Sequence, residues 1–387
     1  MDYQLTEEQE SFRKLFHSFA QKEVAPRAEA ADHEERLAPA LLAKAAEQGM
    51  LAATVPEDLG GAALDPVTYC LMLEELGQAC LSTAVTIATH NSLGALPIVF
   101  GGTGEQKEQW LPALAGGEML GALAATEPEA GSDLAAMQTR AVLDGDEVVL
   151  DGVKSWVGNG GDAGLFVVVA LTAPEQGRNG LTAYLVPRDA PGLEIGAREP
   201  TLGMRGLTLH GLYLDGCRVP AANRLGEENG AWPLVTRAFD HMRLALAACS
   251  LGAAEGAIAL GKQFAVERKQ FGVSIARKQA VSNYFADTRV EIESLRHLVL
   301  YAARKAAAGQ DYAQDATMAK LLGAQVARAA ANRMLQVHGG YGFSDEYPIS
   351  RVYRDVRALA LIGGTDQIQR VMIAQGEFAG TGVEVMP

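Results

Sequence analysis

The stretch LALIGGTDQIQRVMI, Leu359 to Ile373, joins an apolar run to a helix through two adjacent glycines. Thr365 stands where an N-cap belongs, with its hydroxyl placed to accept from the amide of Gln367 or Ile368. Ile368, Val371 and Met372 then recur at helical spacing. A helix N-terminus with free amides beside two glycines suits an anion or the polar edge of a flat ligand. Taken locally, the same pattern also describes an ordinary strand-to-helix or helix-to-helix turn. The rest of the chain decides between them.

Upstream of this stretch the chain reads as long helices over residues 231–271, 277–308 and 312–338, with 366–378 following it. They are rich in Ala and Leu at helical spacing, which permits the close approach of a four-helix bundle. From residue 120 to about 225 the texture differs. Runs such as EVVLDG, LFVVVALT and LTAYLVP alternate with glycine turns, as expected for mostly antiparallel strands. The first 115 residues read as helices again. Thr6 and Gln9 have capping-box spacing, Phe12, Leu15, Phe16, Phe19 and Val24 form one stripe, and Pro26 is expected to close it. Pro66 suits the first turn of another helix. The expected architecture is α+β: an N-terminal helical domain (1–117), a middle antiparallel β domain (118–228) and a C-terminal four-helix bundle (229–387).

The 387 residues carry 33 Lys and Arg against 47 Asp and Glu, a formal net charge of −14. Such a surface disfavours nonspecific contact with nucleic acid or an anionic membrane. The four cysteines, Cys70, Cys80, Cys217 and Cys249, form no CxxC pair and read as reduced and buried, not as a zinc site. The acidic start MDYQLTEEQE lacks the pattern of a signal peptide, and no apolar run is expected to span a membrane. A cytoplasmic protein without a metal site is the expectation.

One further motif is excluded and three further segments can carry chemistry. Gly158, Gly160 and Ala163 spell G-x-G-x-x-A, but a strand follows them where a dinucleotide fingerprint needs a helix, so a Rossmann reading is rejected. AATEPEAGSD, residues 124–133, offers backbone amides and small hydroxyls to a flat ligand, or is simply a loop of turn formers. ERKQFG, residues 267–272, puts Arg268 at a helix end. There it meets the helix dipole, and its planar fork also suits a pyrophosphate. QVHGGYGF, residues 336–343, permits close backbone approach, or is an ordinary C-cap and loop.

Together and in this order, AATEPEAGSD, LGMRGLTLHGLYLDGCRVP, QVHGGYGFSDEYPISRVYRD and IGGTDQIQR resemble the signatures of the acyl-CoA dehydrogenase family over nearly the whole chain. The resemblance implies FAD bound between the β domain and the C-terminal bundle, a homotetramer or homodimer completing the site, and an acyl thioester carried by CoA or an acyl carrier protein. It implies removal of the α proton with passage of the β hydride to flavin N5, and an electron-transfer flavoprotein as acceptor. By the same resemblance Leu123, Ala125 and Thr126 line the flavin pyrimidine edge, and Ser132 meets the flavin phosphate or the thioester tail. Trp156 and Gly158 flank the ring system. Arg268, Gln270 and Phe271, with Gln336, Gly339 and Gly340, make contacts across subunits. Thr365 and Gln367 meet the FAD, and Arg243, Ile362 and Gly363 belong to the acyl pocket.

Two departures stand out. Gly158 replaces a residue whose hydroxyl usually meets flavin N5. Gly363 stands where the family's usual catalytic glutamate is expected, and Met242 occupies the alternative location before Arg243. His90, His241, Asp366 and Glu127 are weak substitutes for the base, Glu127 reading as structural. Alternatives therefore stay open: other chemistry on a carrier-bound acyl or aminoacyl thioester in secondary metabolism, or a base-less subunit partnered with a paralogue.

Overall fold

Thr6 caps the first helix reciprocally. Its hydroxyl accepts from the Gln9 amide at 3.2 Å, and its own amide donates to the Gln9 side chain at 3.1 Å. The computed structural model describes residues 4–383 and 385. Seven helices come first: α1 (Glu7–Phe19), α2 (Ala28–His33), α3 (Pro39–Glu47), α4 (Pro66–Ala79), α5 (Leu81–Thr89), α6 (Leu96–Gly101) and α7 (Gly104–Ala115). Pro26 does not close the first helical segment. The chain continues through a π turn (Ala20–Val24) and a 3-10 turn (Ala25–Arg27) into α2. Pro26 lies in the first turn of the 3-10 piece, where a missing N–H is no loss.

Eight strands follow: β1 (Leu120–Ala124), β2 (Arg140–Asp144), β3 (Glu147–Val157), β4 (Ala163–Leu171), β5 (Leu181–Pro187), β6 (Leu193–Arg198), β7 (His210–Pro220) and β8 (Arg224–Leu225). They form one sheet in the order β6-β7-β3-β2-β4-β5-β8, with β1 also pairing β4. Most pairings are antiparallel, as expected; β1–β4 is parallel, with Leu123 opposite Val167. The run LFVVVAL of β4 is apolar at every position because both faces are covered. Leu165, Val167 and Val169 pack on one side and Phe166, Val168 and Ala170 on the other.

The remaining helices are α8 (Ala231–Glu267), α9 (Gln279–Ala307), α10 (Ala313–His338), α11 (Pro348–Asp355) and α12 (Asp366–Glu377). The helix expected through residue 271 stops at Glu267. Phe271 and Gly272 take positive φ (53° and 78°) and turn the chain into a short hairpin, β9 (Lys269–Gln270) with β10 (Val273–Ser274). Helix α8 is the spine shared by the N-terminal helices and the C-terminal bundle, packing on both α4 and α10. The approach to α4 is so close that a Cβ at Gly252 would stand 2.1 Å from the Glu74 carbonyl oxygen.

Two helical stretches have the length and hydropathy of a membrane span, contrary to the sequence expectation: Leu81–Gly101 and Ala231–Glu267. Their apolar windows are 78% and 83% buried within the protein, so core packing accounts for their composition. All four cysteines are free and buried. Among the described residues no group of His, Cys, Asp and Glu is arranged to hold a metal ion.

Helix α5 passes directly into a π segment, His90–Ala95, that presses on β1. The His90 ring is fully buried, and its Nδ1 accepts from the Gly121 amide at 2.9 Å. Burial pushes its pKa down to about 4. The folded-state value lies below the unfolded one, so the stability it confers is complete above about pH 6.5 and is lost as pH falls towards 4. Urea unfolding between pH 7 and pH 4.5 should therefore lose stability through this imidazole, up to about 3 kcal/mol. A His90→Gln protein should show a correspondingly flatter acid dependence over that window.

Candidate functional site

The turn of Leu359–Ile373 is helix-to-helix. A 3-10 turn (Ala358–Ala360) leads into Gly363 and Gly364, whose φ values are 66° and 96°. Thr365 caps α12, its hydroxyl accepting from the Ile368 amide at 3.2 Å. Two side chains hold the turn from below. Lys320 of α10 donates to the Gly364 carbonyl at 2.5 Å, and Gln369 donates to the Gly363 carbonyl at 3.1 Å. Burial pushes the Lys320 amine down to about 8, with Asp366 opposing and Arg243 and Arg328 adding to the shift. Asp366 lies in the first turn of α12, buried, with one carboxylate oxygen 2.6 Å from Arg328. Gly363 faces α8: a Cβ built there stands 2.7 Å from Leu246 Cδ1. Met242, one turn earlier on that helix, is 3% exposed. Arg243 is buried, paired with Asp240, and its Nε has no hydrogen-bond partner. Ile362 is half-buried beside the turn.

A second strained turn lies at the end of β3. Trp156 has φ 57° and is 57% exposed, and Asn159 has φ 62°. A bulky residue in the left-handed region is a true outlier, and such strain persists where surrounding structure over-determines it. That surrounding structure is visible. The Ser155 amide donates to the Thr126 carbonyl at 2.9 Å, tying β3 to the loop that carries Ala125 and Thr126. One residue on each side, a buried ion pair repeats the tie: Lys154 Nζ lies 2.7 Å from Glu127 Oε1 and 3.3 Å from the Ala125 carbonyl. Glu127 also accepts from the Gln138 and Thr139 amides, so both oxygens are used within the loop. Burial pushes the Lys154 amine down to about 8, although Glu127 pulls it up. For Glu127, burial raises the pKa, but Lys154 and the amides outweigh it and hold the carboxyl below its usual value. Glu127 is therefore fully engaged in the loop.

The other candidates divide into three groups. Leu123 and Ala125 are buried behind the Trp156 turn, Thr126 is half-buried, and Ser132 is exposed. At the far end of the bundle Arg268, Gln270, Phe271, Gln336, Gly339 and Gly340 are all exposed, and so is Gln367 on α12. Arg268 lies over the Tyr341 ring at 5.3 Å. His241 faces α4, its Nδ1 3.0 Å from Ser92 Oγ and its ring 5.1 Å from Tyr69; Met242 and Leu246, not His241, share the face towards Gly363. Burial pushes the His241 imidazole down to about 4, with Arg237 adding to the shift. Sequence reasoning missed Lys154, Lys320 and Gln369. Each is one polar residue among several in its element, a pattern shared with many buried and surface positions.

A helical–β–helical chain with a strained, exposed aromatic turn, and a capped helix N-terminus beside two glycines, has the layout of a cofactor-dependent enzyme. The chain belongs to the acyl-CoA dehydrogenase family. Its N-terminal, middle and C-terminal domain models match residues 6–118, 122–217 and 229–378. An acyl-CoA dehydrogenase of Bacillus subtilis is 37% identical over 377 residues, covering 97% of this chain and all of that one. The butyryl-CoA dehydrogenase structure from Megasphaera elsdenii superposes with a TM-score of 0.95 at 34% identity, covering 98% of this chain and 100% of that one. PigA, solved with FAD and proline, superposes with a TM-score of 0.94 at 27% identity, covering 97% and 99%.

The ion pair makes a direct stability prediction. Lys154→Met alone strands a buried carboxylate and should cost about 3–5 kcal/mol in urea unfolding. Adding Glu127→Gln should recover most of that loss.

Proposed function

We propose that the chain is an FAD-dependent oxidoreductase acting on an acyl thioester, delivered by CoA or by an acyl carrier protein. The observation that carries this reading is the strained, exposed Trp156 turn, held to the Ala125–Thr126 loop by the Glu127–Lys154 pair. Several features suit a flavin. Trp156 offers an open ring face, and the half-buried Thr126 offers backbone and hydroxyl to a heterocycle edge. At Gly339 and Gly340 a Cβ would meet nothing within 4 Å, so the backbone is open to close approach. Arg268 supplies a planar cation for a pyrophosphate. When bound, the flavin supplies a two-electron acceptor. Leu123, Ala125 and Thr126 would hold its pyrimidine edge, Trp156 and Gly158 its ring face, and Thr365 and Gln367 its far end. Ser132, Arg243, Ile362 and Gly363 would meet the thioester.

Phe271 and Phe343 are 93% and 89% exposed at the end of the bundle that also carries Arg268, Gln270 and Gln336. Exposed aromatics of this size support a second copy of the chain packing there, as a homodimer or homotetramer. The remaining assignments are cytoplasmic location and reoxidation by an electron-transfer flavoprotein.

The proton acceptor is the unusual part. Removing an α proton calls for a positioned base, typically worth ~10²–10⁴ in rate. At the Gly363 turn Lys320 is engaged with a carbonyl, and Asp366 is held by Arg328 through one carboxylate oxygen, its other oxygen being buried without a hydrogen-bond partner. The chain should therefore be a slow dehydrogenase towards simple acyl-CoAs. Gly363→Glu should raise the rate of anaerobic flavin bleaching by butyryl-CoA by about 10²-fold or more. It should also cost about 1–3 kcal/mol of stability, because φ is 66° there. A wild-type protein that already bleaches at the rate of the Glu variant would show that another group does this work.

A further inference from the structure

Helix α10 reaches the Gly363 turn with two cations. Lys320 donates to the Gly364 carbonyl at 2.5 Å, and Arg328, two turns further along the same helix, donates to the Asp366 carboxylate at 2.6 Å. Other elements close in as well. Leu246 of α8 lies against Gly363, where a Cβ would stand 2.7 Å from its Cδ1. Gln369 of α12 donates back to the Gly363 carbonyl at 3.1 Å, and a Cβ at Gly364 would stand 2.5 Å from its Nε2. The turn is not sealed by these contacts. Ile362, Gly363, Gly364 and Thr365 are half-buried, and Leu361 and Gln367 on either side of them are exposed.

Lys320 differs from the other supports because its strength depends on a proton. The residue is 1% exposed and spends its charge on the Gly364 carbonyl. Burial pushes its amine down to about 8; Asp366 on α12 pulls the other way, while Arg243 on α8 and Arg328 on its own helix add to the shift. A charged amine makes a bond about twice as strong as a neutral one. The bonded carbonyl belongs to the peptide between Gly364 and Thr365. Two glycines in succession leave that peptide free to rotate unless something outside the turn holds it.

We propose that Lys320 is a positioning residue: in its charged form it fixes the Gly364–Thr365 peptide, and through it the Gly363 edge that is presented to an acyl thioester. The proposal rests on the acyl-thioester reading above and adds a residue that acts without touching the ligand. Its proton separates this role from support of the fold. The folded-state pKa lies below the unfolded one, so the stability this amine confers is complete above about pH 10.5 and is lost as pH falls towards 8. Ligand affinity should run the opposite way and fall as pH rises through 8.

The test titrates the FAD-loaded protein with crotonyl-CoA, whose chain is already unsaturated, and reads binding from the flavin spectrum between pH 7 and about pH 9.5, with urea unfolding confirming that each variant is folded. Wild-type affinity should fall about five- to tenfold over that range. Lys320→Met should bind about tenfold more weakly than wild type at pH 7 and show no further fall. Lys320→Arg keeps a charged donor that does not titrate, and should bind within about threefold of wild type at pH 7 with a flat profile. Lys154 titrates in the same range but belongs to the Trp156 turn, so the fall should persist in the Lys154→Met, Glu127→Gln protein with FAD in excess. A flat wild-type profile, a fall that persists in a folded Lys320 variant, or its loss in the Lys154 double variant overturns the proposal and leaves the acyl-thioester reading standing. A flavin spectrum that crotonyl-CoA perturbs at no pH overturns both.

Discussion

The buried ion pair between Glu127 and Lys154 is the constraint on which the site depends. A carboxylate and an amine are withdrawn from water at a cost of several kcal/mol each, repaid because both carboxylate oxygens and the amine find hydrogen-bond partners in the fold. Glu127 meets Lys154 and two loop amides; Lys154 meets Glu127 and the Ala125 carbonyl. The pair sits between the two segments whose relative placement matters most. Thr126 is one residue from Glu127, and Trp156 is two from Lys154. With Ser155 bonded to Thr126 between them, the loop and the strand end are tied together. The left-handed Trp156 conformation persists on that support.

The second turn of the site is built differently. Gly363 and Gly364 adopt positive φ, and their carbonyls are held by Gln369 and Lys320. The conformation suits glycine and penalises a side chain. The absence of a carboxylate at 363 is thus matched by a backbone that has settled into a glycine geometry. Helix α8 backs this turn, with Leu246 against Gly363, and also packs on α4.

Much of this was legible in the residues. The caps at Thr6 and Thr365 formed as their spacing implied, because capping is local chemistry. The continuous run of β4 and the Ala-rich helices announced a sheet followed by a bundle, and the family signatures located the loops. What stayed hidden depends on tertiary partners. Lys154 lies in a strand that alternates apolar and polar residues, and nothing local distinguishes a lysine facing solvent from one facing Glu127. The π segment at His90 has no signature of its own, and within it Gly94 lies directly against Gly121 of β1. The early stop of α8 at Glu267 reflects the hairpin that follows, where Phe271 and Gly272 turn the chain.

The most direct test of the account is a titration of FAD into the apoprotein, with binding read by quenching of flavin fluorescence. Stoichiometric, saturable binding that weakens by at least about tenfold in the Lys154→Met protein is the predicted result, because the pair aligns both segments that would meet the ring. No saturable binding to the wild-type protein, or binding unchanged by Lys154→Met, would contradict it.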